Sequence, residues 1–154
     1  MKEMVINGVK VRPGQSMNID IAIARLPTHT LIDLPIFINR AKEDGPVVLI
    51  SGGVHGDEIN GIVAVRKMLE ENLISLMKGT VIFMPLVNVY GFLSSSRTFP
   101  DGRDLNRSFP GNKKGGLSAS LFFIVARTRL GSGPLLVIAA GQHGTHHQLD
   151  LVKD

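Results

Sequence analysis

A chain of 154 residues that is 44% hydrophobic and 19% charged is long enough to bury a core and too apolar for a disordered tail. It has no cysteine, which excludes disulfide scaffolds, thiolate zinc sites and cysteine nucleophiles, so any metal would rest on His, Asp and Glu. The net charge of +4 is too modest, and aromatics at 5% are too sparse, for a nucleic-acid platform.

The chain opens with MKEMVING, which has no apolar signal core, and a cytoplasmic setting is the expectation. Residues 17–25 alternate apolar and polar and predict a half-buried strand. Residues 31–38, interrupted by Pro35, predict a second strand near a sheet edge, because proline cannot donate to a ladder. Residues 39–46 predict a turn. Residues 47–50 and 81–87 are short continuous apolar runs, as in parallel strands covered on both faces. Between them Ile59, Ile62, Val63, Leu69 and Leu73 recur at helical spacing, with Arg66, Lys67, Glu70 and Glu71 left for water. The unit reads as strand 47–51, helix 58–74, strand 81–88, with a bulge expected at Pro85. Residues 90–116 have little periodicity, and a loop of that length is functional or disordered. Residues 117–130 predict a helix and 135–140 a third buried strand. No apolar run approaches the roughly 18 residues of a membrane-spanning helix, so no membrane partner is expected. The fold class is α/β: a mostly parallel sheet with helices on both faces, preceded by antiparallel strands.

Chemistry concentrates where the first parallel strand ends. Ser51-Gly52-Gly53-Val54-His55-Gly56-Asp57-Glu58 runs from strand into helix, and ligands of open α/β sheets bind at the carboxyl ends of strands. Imidazole nitrogen and carboxylate oxygen suit zinc, whose catalytic sites take three protein ligands and a water. The bland alternative is that Asp57 and Glu58 only complement the helix N-terminus. The second parallel strand ends on the same edge, and the long loop leaving it carries Arg97, Arg103, Arg107, Lys113 and Lys114 with Asp101 and Asp104 among them. Arginine forks there suit a small anionic substrate. The alternative is a solvated loop of local Arg–Asp pairs.

Two motifs in this order suggest a family. Residues 51–61 (SGGVHGDEING) and 100–111 (PDGRDLNRSFPG) resemble the first zinc-ligand and the substrate-carboxylate segments of the succinylglutamate desuccinylase/aspartoacylase family, metallocarboxypeptidase-like zinc hydrolases. The stretches 79–92 and 26–30 are similar to that family too, so the resemblance spans about residues 17–121. It implies a zinc-exopeptidase-like fold and Zn2+ as cofactor. His55 and Glu58 become metal ligands, Asn106 and Arg107 hold a substrate carboxylate, and Arg97 polarises the scissile carbonyl. The implied reaction is hydrolysis of the amide bond of a small anionic N-acyl amino acid.

The family's third ligand, a His in an Asp-x-His-Thr-Gly segment, has no clear counterpart. His143 follows the last apolar run at about the right place, and His146 and His147 are further candidates, against the plainer reading of tail histidines. No residue matches the family's general-base Glu; Glu70 and Glu71 lie well along the helix. Beyond about residue 121 the sequence diverges. The expectation is one incomplete α/β catalytic domain over 1–154, truncated or frameshifted, with impaired activity. A non-catalytic metal- or anion-binding remnant is the alternative. A partial sheet with an open apolar edge leaves room for a homo-oligomer.

Overall fold

Asn7 and Gly8, at φ 47° and 78°, turn the chain between β1 (Met4–Ile6) and β2 (Val9–Val11). Both central residues sit at positive φ, the geometry that Asn-Gly favours in two-residue hairpins. The computed structural model describes residues 3–108, Lys114 and residues 135–140, and all that follows concerns these. After the hairpin come β3 (Ser16–Arg25), β4 (Leu31–Arg40), β5 (Val47–Gly52), α1 (Ile59–Glu70), β6 (Thr80–Met84), α2 (Val89–Leu93) and β7 (Leu135–Ala140). A short 3-10 turn spans Leu105–Ser108.

Strands β3 to β7 form one five-stranded sheet in the order β3-β4-β6-β5-β7. The α/β fold is as the sequence predicts. The antiparallel strands do not stand apart from the parallel unit but continue its sheet. β3/β4 and β4/β6 pair antiparallel, while β5/β6 and β5/β7 pair in parallel. Among the described residues the sheet is therefore evenly mixed.

Side chains alternate between its faces. On one face Ile19, Ile21, Leu34, Ile36, Ile38, Leu49 and Ile82 form a core closed by Met4, Ile6 and Val11 of the hairpin. On the other, Phe37, Val48, Ile50, Val81 and Phe83 pack against Val65, Met68 and Leu69 of α1. The buried Arg40 fastens the hairpin to the sheet, its Nη1 donating to the Val11 carbonyl at 2.6 Å.

Three local expectations are corrected. Pro85 lies just past β6, which ends at Met84, so no bulge is needed to hold it. β4 is an interior strand, flanked by β3 and β6. Pro35 is tolerated because β4 pairs with β6 only from Phe37 onward, so at Pro35, opposite Asp20 of β3, the strand is locally an edge. The helix stops at Glu70, and its inward face is only partly the expected one, keeping Ile62 and Leu69 but turning Ile59 and Val63 outward. Gly61, Ile62 and Val65 are buried, whereas Ile59, Val63 and Leu73 are more than half exposed. Apolar residues at 59, 62, 63, 69 and 73 fit a helical period, but the stripe that meets the sheet follows the close approach of the helix backbone at Gly61 to Gly52, where a Cβ would fall 2.5 Å from the Gly61 carbonyl oxygen. The helix predicted over 117–130 lies outside the described residues. No helix among the described residues is long and apolar enough to cross a membrane.

The β5–α1–β6 unit, with β5 and β6 parallel neighbours, brings the carboxyl ends of both strands to one edge. Backbone bonds join them there: Val87 N–H to the Gly52 carbonyl at 3.1 Å and Asn88 N–H to that of Gly53 at 2.8 Å.

Candidate active site

At this edge the chain leaves β5 through Gly53, at φ 59°, and carries His55 into the interior. The next residue has no room for a side chain. A Cβ on Gly56 would fall 1.8 Å from the carbonyl carbon of Gly91, so the turn rests backbone against backbone on α2. The Gly56 N–H donates to the Ser96 carbonyl at 3.1 Å, which ties the turn to the loop after α2.

Both ring nitrogens of His55 face carboxylates. Nδ1 lies 2.9 Å from Oε1 of Glu58, and Nε2 lies 2.9 Å from Oδ1 of Asp104, far along the chain. Glu58 occupies the N-cap position of α1, yet its side chain makes no capping bond. Its carboxylate turns to His55 and to Arg97, whose Nη1 donates to the same Oε1 at 3.1 Å. That disposes of the reading in which Glu58 merely caps the helix. Arg97 also reaches toward Asp104, 3.8 Å from Nη2 to Oδ2. The loop is thus more than a set of local pairs, because Arg97 is joined to acids on two distant segments. Arg103 keeps the local pattern, its N–H donating to Asp101.

Burial acts to raise the Asp104 carboxyl, but bonds from the His55 ring and the Asn106 N–H, with the charges of His55 and Arg97, outweigh it and hold the group below the usual aspartate range. Asp104 is therefore a fixed anion behind the imidazole. Sequence reading placed it only among the acids interspersed with the loop arginines. Nothing in the spacing from His55 shows that the 3-10 turn at Leu105 will fold its first neighbour back under the ring.

Asn106 and Arg107 sit in that turn, both exposed, one turn from the His55–Asp104 contact. The Asn106 N–H donates to Oδ1 of Asp104 at 2.9 Å and the Arg107 N–H donates to the Asp104 carbonyl at 3.1 Å. Among the described residues no side-chain bond joins either to His55 or Glu58. His143, with His146 and His147, lies outside the described residues. An open cleft of about 560 Å³ lies beside the site, lined by Tyr90, Ser94, Ser96, Thr98 and Phe99. None of His55, Glu58, Arg97 or Asp104 lines it, so it is a neighbour of the charged cluster rather than its cavity.

Two donors on a tetrahedral zinc stand roughly 3.3–3.5 Å apart, given bonds of about 2.0–2.2 Å. Nδ1 of His55 and Oε1 of Glu58, at 2.9 Å, need to part only slightly to reach that separation. The pair fits two protein positions of a zinc site, with Asp104 on the remote nitrogen in the place of an outer carboxylate that fixes the ring. Among the described residues no third His, Asp or Glu completes a metal-holding group.

This fold recurs in solved structures. A succinylglutamate desuccinylase/aspartoacylase from Rhodobacter sphaeroides superposes with a TM-score of 0.65 and 31% identity, covering 86% of this chain and 42% of that one. The product-bound ectoine utilization protein of Ruegeria pomeroyi gives a TM-score of 0.64 and 27% identity over 84% of this chain and 40% of its own. Among curated proteins, an N-alpha-acetyl-L-2,4-diaminobutyric acid deacetylase of Halomonas elongata is 32% identical over 120 residues, 77% of this chain and 34% of the relative. The chain thus spans about a third of the curated relative it matches. The model of the succinylglutamate desuccinylase/aspartoacylase catalytic domain matches residues 44–129, more than half of the chain, and the chain belongs to that family.

Proposed function

We propose that this chain carries the metal-binding half of a zinc-dependent hydrolase that cleaves the amide bond of N-acyl amino acids. The observation that carries the reading is a buried histidine clamped between two carboxylates at the carboxyl edge of β5, with an arginine on the same carboxylates. The names of the relatives support it: one is a deacetylase of an acetylated diamino acid, another an aspartoacylase family member.

In this reading His55 and Glu58 hold the metal and His143 is the third ligand. A zinc ion held there would supply Lewis acidity for the acyl carbonyl and for a bound water. The chain's own residues do the rest. Asp104 accepts a hydrogen bond from the Nε2–H of His55, which fixes the tautomer and leaves the Nδ1 lone pair on the Glu58 side, free to ligate. Arg97, half exposed beside Glu58, presents N–H donors to the oxygen that gains charge as the carbonyl is attacked. Asn106 and Arg107 hold the substrate carboxylate, the guanidinium as a planar fork. One incomplete α/β catalytic domain over 1–154 and a cytoplasmic setting belong to the same reading. The second reading is a metal- and anion-binding module without catalysis, which needs only the His55–Glu58 pair and the arginine beside it.

Titration with Zn2+ tests the site. One ion per chain is expected, lost in His55→Ala and weakened in Glu58→Ala. Equal uptake by all three proteins would overturn the assignment. Release of free amino acid from N-acetylaspartate or N-succinylglutamate by the zinc-loaded chain separates the readings: turnover that disappears in Arg97→Ala supports the hydrolase, and metal uptake without turnover supports the binding module.

A further inference from the structure

Three pieces of backbone converge behind the charged cluster: the turn before His55, the start of α2, and the loop that carries Arg97. Asn88 touches all three. It is fully buried at 0% exposure, between Val87 and the tightly packed Gly91, and every polar atom of its side chain is engaged. Its N–H donates to the Gly53 carbonyl at 2.8 Å. Its Oδ1 accepts from the Gly91 N–H at 2.8 Å, the ordinary N-cap bond of α2. Its Nδ2 donates to the carbonyls of Arg97 and Thr98, each at 3.4 Å.

A cap alone needs only the acceptor, which Ser, Thr or Asp supplies as well as Asn. The Nδ2 bonds are additional, and they fall on the residue whose guanidinium meets Glu58 and on its neighbour. Ser96 is pinned on the other side: its N–H donates to the Gly91 carbonyl at 2.8 Å and its own carbonyl accepts from Gly56. Held at both ends, the backbone of Arg97 has one placement relative to His55 and Glu58, although its side chain is half exposed.

We infer that Asn88 is the positioning residue that sets Arg97 against Glu58. The inference rests on the reading of Arg97 as a group that acts at this site, and it concerns geometry that exists before any metal or substrate arrives. Asn88→Ser keeps an N-cap acceptor and removes the reach to both carbonyls. Asn88→Asp keeps size and acceptor and turns an oxygen toward them. The readout is the rate at which a dicarbonyl reagent, phenylglyoxal, modifies Arg97, mapped by mass spectrometry against Arg66 of α1 in the same molecule. Arg66 is a suitable reference because it pairs with Glu70 on the exposed helix surface, away from the clasp.

Modification of Arg97 relative to Arg66 should rise about two- to five-fold in both variants, the span that a partly exposed ion pair is worth. Glu58→Gln should raise it comparably, which shows that the native rate is set by that pair. A ratio unchanged in Asn88→Ser, together with a lowered Tm, would reduce Asn88 to a helix cap and overturn the inference. If neither variant folds, the native chain decides: the Asn88 side-chain amide protons must be protected from solvent exchange in an asparagine-labelled NMR sample, and fast exchange overturns the clasp. The two assignments fail separately. An Arg97→Ala protein that binds and turns over N-acyl amino acids as before defeats the role given to Arg97, and leaves the Asn88 result standing.

Discussion

Along β4 each buried residue is followed by one that is partly or fully exposed, whereas in β6 all five residues are buried and in β5 only Val48 is partly exposed. The antiparallel limb packs a single face well, under the β1/β2 hairpin. The parallel limb is covered on both faces, by the hairpin core and by α1. The difference decides where chemistry can sit. A strand enclosed on both faces ends in a turn whose backbone must still find partners, and here those partners are other turns. The result is an edge in which the turn flanking His55, through Gly53 and Gly56, is bonded to Asn88 and Ser96, and Asn88 in turn to Arg97 and Thr98. The loop between β3 and β4 ends in solvent instead, with Leu26 and Leu31 exposed and Arg25 closing the turn onto the His29 carbonyl.

The comparison breaks first at its seam, where Phe37 of β4 faces Phe83 of β6. Phe83 is 1% exposed, so Phe83→Ala should cost about 3–5 kcal/mol, read as a lowered urea midpoint. Phe37→Ala, from the half-open limb, should cost clearly less. Equal losses would mean that the two limbs are equally enclosed. Glycine substitutions sharpen the contrast. Gly56→Ala forces a Cβ into the backbone of α2, and a loss of about 3 kcal/mol is expected, together with loss of zinc uptake, because the His55 turn must move. Gly8→Ala meets nothing within 4 Å and pays only for its positive φ, about 1–2 kcal/mol, with zinc uptake intact.

These contrasts also explain what was legible in the sequence. The runs at 47–50 and 81–87 announced a parallel pair, because enclosure on both faces leaves no polar alternation to confuse the signal, though the second strand ends at Met84. The strands at 17–25 and 31–38 were legible for the opposite reason, a clean period of two. Their place in the same sheet was not, since nothing in a strand's own residues names its neighbour. At the site, His55 and Glu58 stood out through their place at the end of a parallel strand and through the family-like segment 51–61. Asp104 and Asn88 did not, because each acts through a contact made by the folded chain. An aspartate in a loop of arginines looks like a local counter-ion, and an asparagine after a strand looks like a helix cap. Each is also a support for a more conspicuous residue.

Asp104→Ala tests that support at the site. It leaves Nε2 of a buried histidine without its acceptor, at a cost of about 1–3 kcal/mol in stability. Loss of an outer carboxylate behind a ligating histidine lowers metal affinity by roughly 10- to 100-fold. Both are measurable on one preparation, by denaturation and by zinc titration. A normal zinc affinity in this variant would show that the ring is held by Glu58 alone.

The smallest effect belongs to the far limb. Glu3 and Lys10 pair across the hairpin at 2.6 Å, both well exposed, and the bond and charge of Lys10 hold the Glu3 carboxyl below its usual range. A carboxyl lowered in the folded state adds stability above its unfolded pKa and loses it as pH falls through the folded value. The increment from Glu3 should therefore be present at neutral pH and gone in acid. Lys10→Met should lower the urea midpoint slightly at pH 7, leave it equal to the native chain in acid, and leave it equal at any pH in about 1 M salt, where surface charges are screened. Asp104 is lowered by bonds from the His55 ring and the Asn106 N–H as well as by the charges of His55 and Arg97, at a mostly enclosed position, so the contribution of its contact to His55 should persist in the same salt. If salt erased both, the enclosed edge would be no better shielded than the open hairpin, and the distinction between the two limbs would fail at the charges that matter to the site.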